Sequence, residues 1–192
     1  MSIKIDPKAD ALIVVDVQQD FCPGGALVVP EGDQVVPAIN RVLGLTGWLT
    51  LATLDWHPKD HCSFAPCGGT WPVHCVAGTT GAMFHPGLDT TKVRQIISKA
   101  TTREAEAYSG FQGTGLGALL QGQGIRRVFV CGLATDYCVK ATALDARKAG
   151  FDVIVLEDAI RGVEVKPGDC ARAVEEMKAA GIRFARTTDL AT

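Results

Sequence analysis

The chain has 192 residues, 47% of them hydrophobic, and its 19 basic and 21 acidic side chains leave a formal charge of −2. That length builds one substantial core, so residues 1–192 are expected to form a single domain. The charges are scattered and no apolar run is long enough to cross a bilayer, which excludes nucleic acid and membrane as the expected partners. The opening MSIKIDPKAD lacks an apolar signal core, and a cytoplasmic location is expected. Seven cysteines (Cys22, Cys62, Cys67, Cys75, Cys131, Cys138 and Cys170) are odd in number and widely spaced, unlike a secreted disulfide framework. No CxxC occurs, and Cys62-x4-Cys67 has no second close pair to complete a structural zinc site.

Along the chain, short β-branched runs alternate with helical patterns. Ala11 to Val15 is continuously apolar and reads as a central strand covered on both faces. A helix is predicted near Val35 to Leu45, then strands at Trp48 to Leu54 and Val93 to Ser98. A helix near Leu116 to Gln121 precedes a strand at Arg127 to Cys131. A helix from about Asp136 to Ala149, closed by Gly150, leads to a strand at Asp152 to Leu156. A last helix spans about Gly168 to Ala180, before a short strand at Arg183 to Ala185. Such alternation predicts a parallel sheet with helices on both faces. The stretch from Asp55 to Thr91 has no clear period, and a loop of that length inside one domain is usually functional.

In sheets of this kind ligands gather outside the carboxyl ends of the strands. Asp16 ends the first strand, Asp55 the second and Lys99 the third, while Cys138 follows the fourth. Taken singly, each has an ordinary reading: Asp16 as a turn cap, Lys99 as a solvated lysine, Cys138 as a small buried apolar residue. Taken together they make a nucleophile site. Cys138 lies at the start of a helical pattern, where free N–H groups favour a thiolate and hold a developing oxyanion. Asp16 is placed for proton transfer, and Lys99 is expected to lower the cysteine pKa. No histidine accompanies Cys138, so a papain-like pair is not favoured.

All four histidines fall in the long loop, three of them (His57, His61 and His74) between Asp55 and Cys75. Asp55 and His57, two residues apart on an extended strand end, point to one side and combine with His74 in a two-histidine, one-carboxylate set suited to Zn2+, Fe2+ or Mn2+. His61 is a candidate fourth ligand or supporting group, and His85 reads as structural.

These residues together resemble the nicotinamidase branch of the isochorismatase-like cysteine hydrolases. The resemblance rests on Asp16-Val17-Gln18-Gln19-Asp20-Phe21 with the following Cys22-Pro23-Gly24-Gly25-Ala26-Leu27, on Asp55-Trp56-His57-Pro58, and on Trp71-Pro72-Val73-His74-Cys75-Val76. It continues through Lys99 with Ala107-Tyr108-Ser109-Gly110-Phe111, and Gly132-Leu133-Ala134-Thr135-Asp136-Tyr137-Cys138-Val139. It implies a three-layer α/β sandwich around a parallel sheet of about six strands. It also implies a triad of Asp16, Lys99 and Cys138, a divalent metal on Asp55, His57 and His74, and a cis peptide between Leu133 and Ala134 that aims the Ala134 and Cys138 N–H groups at the oxyanion. Nicotinamide is the implied substrate, in NAD salvage, with Phe21, Trp71, Leu133 and Ala134 around its ring. Two other readings stay open: a related hydrolase of another small amide or ureido compound, and a non-catalytic zinc- or thiol-based binding protein. Assembly with further copies of the chain is also left open.

Overall fold

The computed structural model describes residues 2–192. Its twelve regular elements are β1 (Ile3–Lys4), β2 (Asp10–Val15), α1 (Val35–Leu43), β3 (Leu49–Asp55), β4 (Gln95–Lys99), α2 (Leu116–Gly122), β5 (Arg127–Leu133), α3 (Lys140–Lys148), β6 (Asp152–Arg161), α4 (Asp169–Ala179), β7 (Arg183–Ala185) and β8 (Leu190–Ala191). Six strands form one sheet in the order β4-β3-β2-β5-β6-β7, every pair parallel. The three-layer α/β sandwich implied by the resemblance is therefore the observed one.

Pleating sends alternate residues of the central strands to opposite faces. Leu12, Val14, Ala52, Phe129, Cys131 and Ile154 join the core beneath α1. Ala11, Ile13, Val15, Leu51, Val128, Val130, Val153 and Val155 join the one beneath α2, α3 and α4. Every residue of β2 is buried, as its unbroken apolar run predicted, and each large side chain there contributes roughly 1.5–3 kcal/mol by leaving water. Helix α1 buries Val35, Val36, Ile39, Val42 and Leu43, the spacing of a single inward stripe.

Strand order reverses between β2 and β5: the chain moves outward through β3 and β4, then returns to lay β5 on the far side of β2. Val15 is in register with Gly132, so the carboxyl ends of these two strands open into one crevice. The closeness is absolute at Gly132 (φ 114), where a Cβ would lie 2.1 Å from the Val15 carbonyl oxygen.

Several boundaries shift from expectation. β3 and β4 each run on to their polar last residue, Asp55 and Lys99, because those side chains are buried and paired. β6 continues to Arg161 past an irregularity in its pairing with β5. The helix expected from Asp136 opens as a π-turn, Thr135–Val139, before α3 begins. β1 and β8 pair in a separate two-stranded sheet that alternation gave no sign of, since each is only two residues long. Among the described residues, no helix is long and apolar enough to cross a membrane.

Candidate active site

Asp16, Asp55, Lys99 and Cys138 come together at the crevice. Asp16 leaves β2 in a left-handed conformation (φ 46), which turns its side chain out of the strand pleat. Lys99, 1% exposed, projects its ammonium into the middle of the group. Nζ lies 2.9 Å from Asp16 Oδ2 and 2.5 Å from Asp55 Oδ1, and donates to the Ala107 carbonyl at 3.0 Å and to the Cys138 sulfur at 3.5 Å. Ligating atoms of Asp16, Asp55 and Cys138 all fall within 4.8 Å of one another.

Charge in this dry cluster is set by the competition between burial and pairing. Burial pushes Lys99 down, yet Asp16 and Asp55 outweigh it and the ammonium is held well above its ordinary range. Burial pushes Asp55 up, but Lys99 and His57 hold it well below the usual carboxylate range. Asp16 goes the other way: burial raises it, and Lys99 only partly offsets that. The expected lowering of the Cys138 thiol is reversed. Burial pushes it well up, Lys99 pulls it down, and Asp16 and Asp55 add to the rise. With two carboxylates against one ammonium, a resting thiolate has no net positive field to support it. Burial and the two carboxylates thus favour thiol over thiolate, and the neighbouring Asp16 Oδ2, close to Lys99, receives no aligned hydrogen bond.

Ala134 follows the cis Leu133–Ala134 peptide. Its N–H has no backbone acceptor among the described residues. The Cys138 N–H belongs to the first turn of the helical segment, where N–H groups lack intrahelical partners. Two donors beside a sulfur can accommodate the oxygen of a tetrahedral adduct.

A second set adjoins the first. Asp55, His57 and His74 each turn a ligating atom to within 4.8 Å of the others, all three buried. His57 Nδ1 lies 3.2 Å from the Ala100 carbonyl and His74 Nδ1 2.7 Å from that of Pro72. Since carbonyls only accept, both rings carry their proton on Nδ1 and turn a bare Nε2 inward, as ligating histidines do. His57 Nε2 is buried with no hydrogen-bond partner, and Asp55 Oδ2 is 3.6 Å away. Burial lowers His57, but the Asp55 carboxylate outweighs it and the net direction is up; burial lowers His74. An orphaned nitrogen, a second bare nitrogen and a carboxylate fit a divalent cation. His61 stands differently. It stacks on His57 at 4.2 Å, its Nδ1 is 2.8 Å from Ser63 Oγ and its Nε2 is 3.2 Å from the Ala105 carbonyl, so both nitrogens are occupied.

The slot between these two sets is lined by Phe21, Trp71, His74, Tyr108, Ala134, Tyr137 and Cys138, with Leu27, Val29, Asp55, Glu106 and Val163 around them. The cavity is small, about 30 Å3, and walled largely by aromatic and apolar side chains. A roomier cleft between Gln19–Gly25 and Thr80–Pro86 holds none of the clustered side chains. Phe21 and Trp71 line the slot. Leu133 does not: its side chain is buried in the core on the α1 side, because β5 is still pleated there, and only its peptide bond reaches the site.

Several contributors were not anticipated. Gln18 is wholly buried; its side chain accepts the Asp55 N–H at 2.8 Å and donates to the Asp55 and Ala82 carbonyls. Thr53 hydrogen-bonds Asp16. Tyr108 accepts the Trp71 indole N–H at 2.9 Å, and Tyr137 meets Trp71 edge-on at 5.0 Å. Gln18 and Tyr108 lie inside the motifs that carry the family resemblance, and Thr53, two residues before Asp55 on the same strand face, is a polar group within an apolar strand. Val163, two residues past the end of β6, carried no such mark.

Residues 10–191 match the family model of the isochorismatase domain. A nicotinamidase of Escherichia coli is 41% identical over 89% of this chain and 92% of its own. PnC1 from L. infantum, solved in complex with nicotinate, superposes with a TM-score of 0.95 at 41% identity, covering 100% of this chain and 99% of that one. A pyrazinamidase of Pyrococcus horikoshii, solved in complex with zinc, is 54% identical with a TM-score of 0.86, over 92% and 98% of the two chains. With an all-parallel six-stranded sheet, a sulfur–acid–ammonium cluster at its switch point and a matched domain spanning nearly all its residues, the chain belongs to the isochorismatase family.

Proposed function

We propose that the chain is an amidohydrolase that converts nicotinamide to nicotinate and ammonia through a thioester on Cys138. The observation that carries this reading is the meeting of Asp16, Lys99 and the Cys138 sulfur at one end of a small slot whose other end presents bare imidazole nitrogens. Relatives that share 41% of its sequence and are named nicotinamidases support the substrate.

Asp55, His57 and His74 would hold the divalent cation, with His61 supporting His57 from behind. When bound, the cation supplies a Lewis-acidic anchor for the pyridine nitrogen. Zinc in the Pyrococcus pyrazinamidase supports a divalent ion here without fixing which one. Phe21 and Trp71 flank the ring and leave its carboxamide facing Cys138.

Asp16 Oδ2 takes the thiol proton as the sulfur bonds to the carboxamide carbon, and the C=O pair moves onto oxygen. Coupling the two events avoids a free thiolate, which the buried cluster disfavours. The oxyanion is held by the Ala134 and Cys138 N–H groups. Asp16 then gives its proton to nitrogen, the C–N bond breaks and ammonia leaves. A raised carboxyl keeps this proton more readily than an ordinary one, so that it is present when the departing nitrogen needs it. Water, relieved of a proton by Asp16, attacks the thioester; the C–S bond breaks, nicotinate forms and the thiol regains its proton. Lys99 stays an ammonium throughout and balances whichever neighbour is anionic.

The test is ammonia release from nicotinamide against a panel of small aliphatic amides and ureido compounds, with metal analysis of the same sample. Preference for nicotinamide supports the reading. Preference for a substrate without a ring nitrogen would favour a related amidohydrolase that does not need the histidine set.

A further inference from the structure

We infer that Thr53 is a positioning residue for Asp16, selecting which carboxylate oxygen faces the Cys138 sulfur; this rests on the proton-carrying role proposed for Asp16. Thr53 is wholly buried in β3. Its hydroxyl donates to Asp16 Oδ1 at 2.6 Å and accepts the Asp16 backbone N–H at 3.2 Å. The N–H is shared with the Thr53 carbonyl at 3.3 Å. Asp16 has left the pleat of β2, so the strand no longer dictates the direction of its side chain. Two groups do so instead: Lys99 at Oδ2 and Thr53 at Oδ1. The hydroxyl has one proton, and spending it on Oδ1 leaves Oδ2 as the oxygen free of an aligned hydrogen bond. Without that hydroxyl, the carboxylate is free to rotate and exchange its oxygens.

The other branch of the same side chain has a separate task. A Cβ added to Gly110 would lie 2.9 Å from Thr53 Cγ2, so the methyl packs against the backbone of the Ala107–Phe111 segment. Ala107 of that segment accepts from Lys99. Hydroxyl and methyl can therefore be removed one at a time.

Steady-state hydrolysis of nicotinamide by metal-loaded protein separates them. Thr53→Val keeps the methyl and should lower kcat about 10- to 100-fold with KM within about two-fold, whereas Thr53→Ser should stay within about three-fold of the parent in both. Parent-like kcat in Thr53→Val, or equal losses in Val and Ser, would overturn the inference. If Thr53→Val does not fold, Thr53→Ser and Thr53→Ala make the same comparison, since both lack the methyl and differ only in the hydroxyl. Equal kcat in that pair would overturn it. Asp16→Asn is measured alongside. An inactive Asp16→Asn beside a fully active Thr53→Val removes the role of Thr53 alone, whereas an active Asp16→Asn removes the role of Asp16 on which it rests.

Discussion

The Lys99 ammonium donates to the Cys138 sulfur at 3.5 Å, although the two residues stand 39 positions apart and on different elements. That contact exists because β3 and β2 lie between β4 and β5, bringing four strand exits to one edge of the sheet. The ammonium is shared with Asp16 and Asp55, so the sulfur sits in a cluster that is short of positive charge before any cation is added.

Cys138→Ala removes the proposed nucleophile and leaves the Asp55, His57 and His74 set untouched. Turnover of nicotinamide should fall to the background of the assay while metal content stays at the parent level. Hydrolysis near the parent rate would remove the sulfur from the reaction.

Asp16→Asn cannot carry a proton between sulfur and nitrogen. A loss in kcat of at least about 10³-fold is expected, since both half-reactions of the proposed mechanism use the carboxylate. The variant should remain folded, because a neutral amide relieves the cost of burying a second carboxylate. A loss below ten-fold, read in the same ammonia assay, would assign the proton transfers to another group.

The direction of the Asp16 shift sets the acid limb of the pH profile. Burial raises its carboxyl above the ordinary 3.8. Below the raised value Asp16 is protonated in the resting enzyme and cannot take the thiol proton, so kcat/KM falls as pH drops through it. The limb should therefore lie higher than that of an ordinary carboxylate, with metal content constant across it. A limb that tracks loss of metal instead would assign it to the histidines.

Metal removal tests the second set. Because His57 and His74 already carry their protons on Nδ1, they need little rearrangement to ligate. Asp55→Ala or His74→Ala should lower metal content and activity together. His61→Ala should weaken binding only about ten-fold, as a group acting through its neighbour. Equal losses at His61 and His74, measured by equilibrium dialysis, would make His61 a ligand.

Gly132→Ala would push a methyl into the Val15 carbonyl oxygen, 2.1 Å away, at a backbone angle that side chains avoid. Neither strand can yield without breaking the β2–β5 ladder, so a loss of roughly 3 kcal/mol or more is expected in chemical denaturation. Parent-like stability would mean that the crevice is less tightly closed than described.

The sheet was legible because its central strands are apolar on both faces and alternate with helical patterns, features that local sequence displays directly. The meeting of Asp16, Asp55, Lys99 and Cys138 was legible because all four sit at or just after strand ends, a place chain order fixes. The electrostatics of that cluster were not. Expecting Lys99 to lower the Cys138 thiol counted one favourable charge, whereas full burial and two carboxylates act against it, and neither shows in the spacing of residues. Leu133 was misplaced for a similar reason: adjacency to Ala134 on the chain put it at the slot, while the pleat of β5 turns it into the core. Thr53 and Gln18 escaped notice because each acts through another residue, a relation visible only once β2 and β3 are side by side.

Mass spectrometry of protein quenched in acid during turnover of nicotinamide addresses the covalent step most directly. A nicotinoyl group on the peptide containing Cys138, absent from Cys138→Ala, is the expected result. Steady ammonia release with Cys138 unacylated at every quench time, or with the acyl group on another residue, would contradict it.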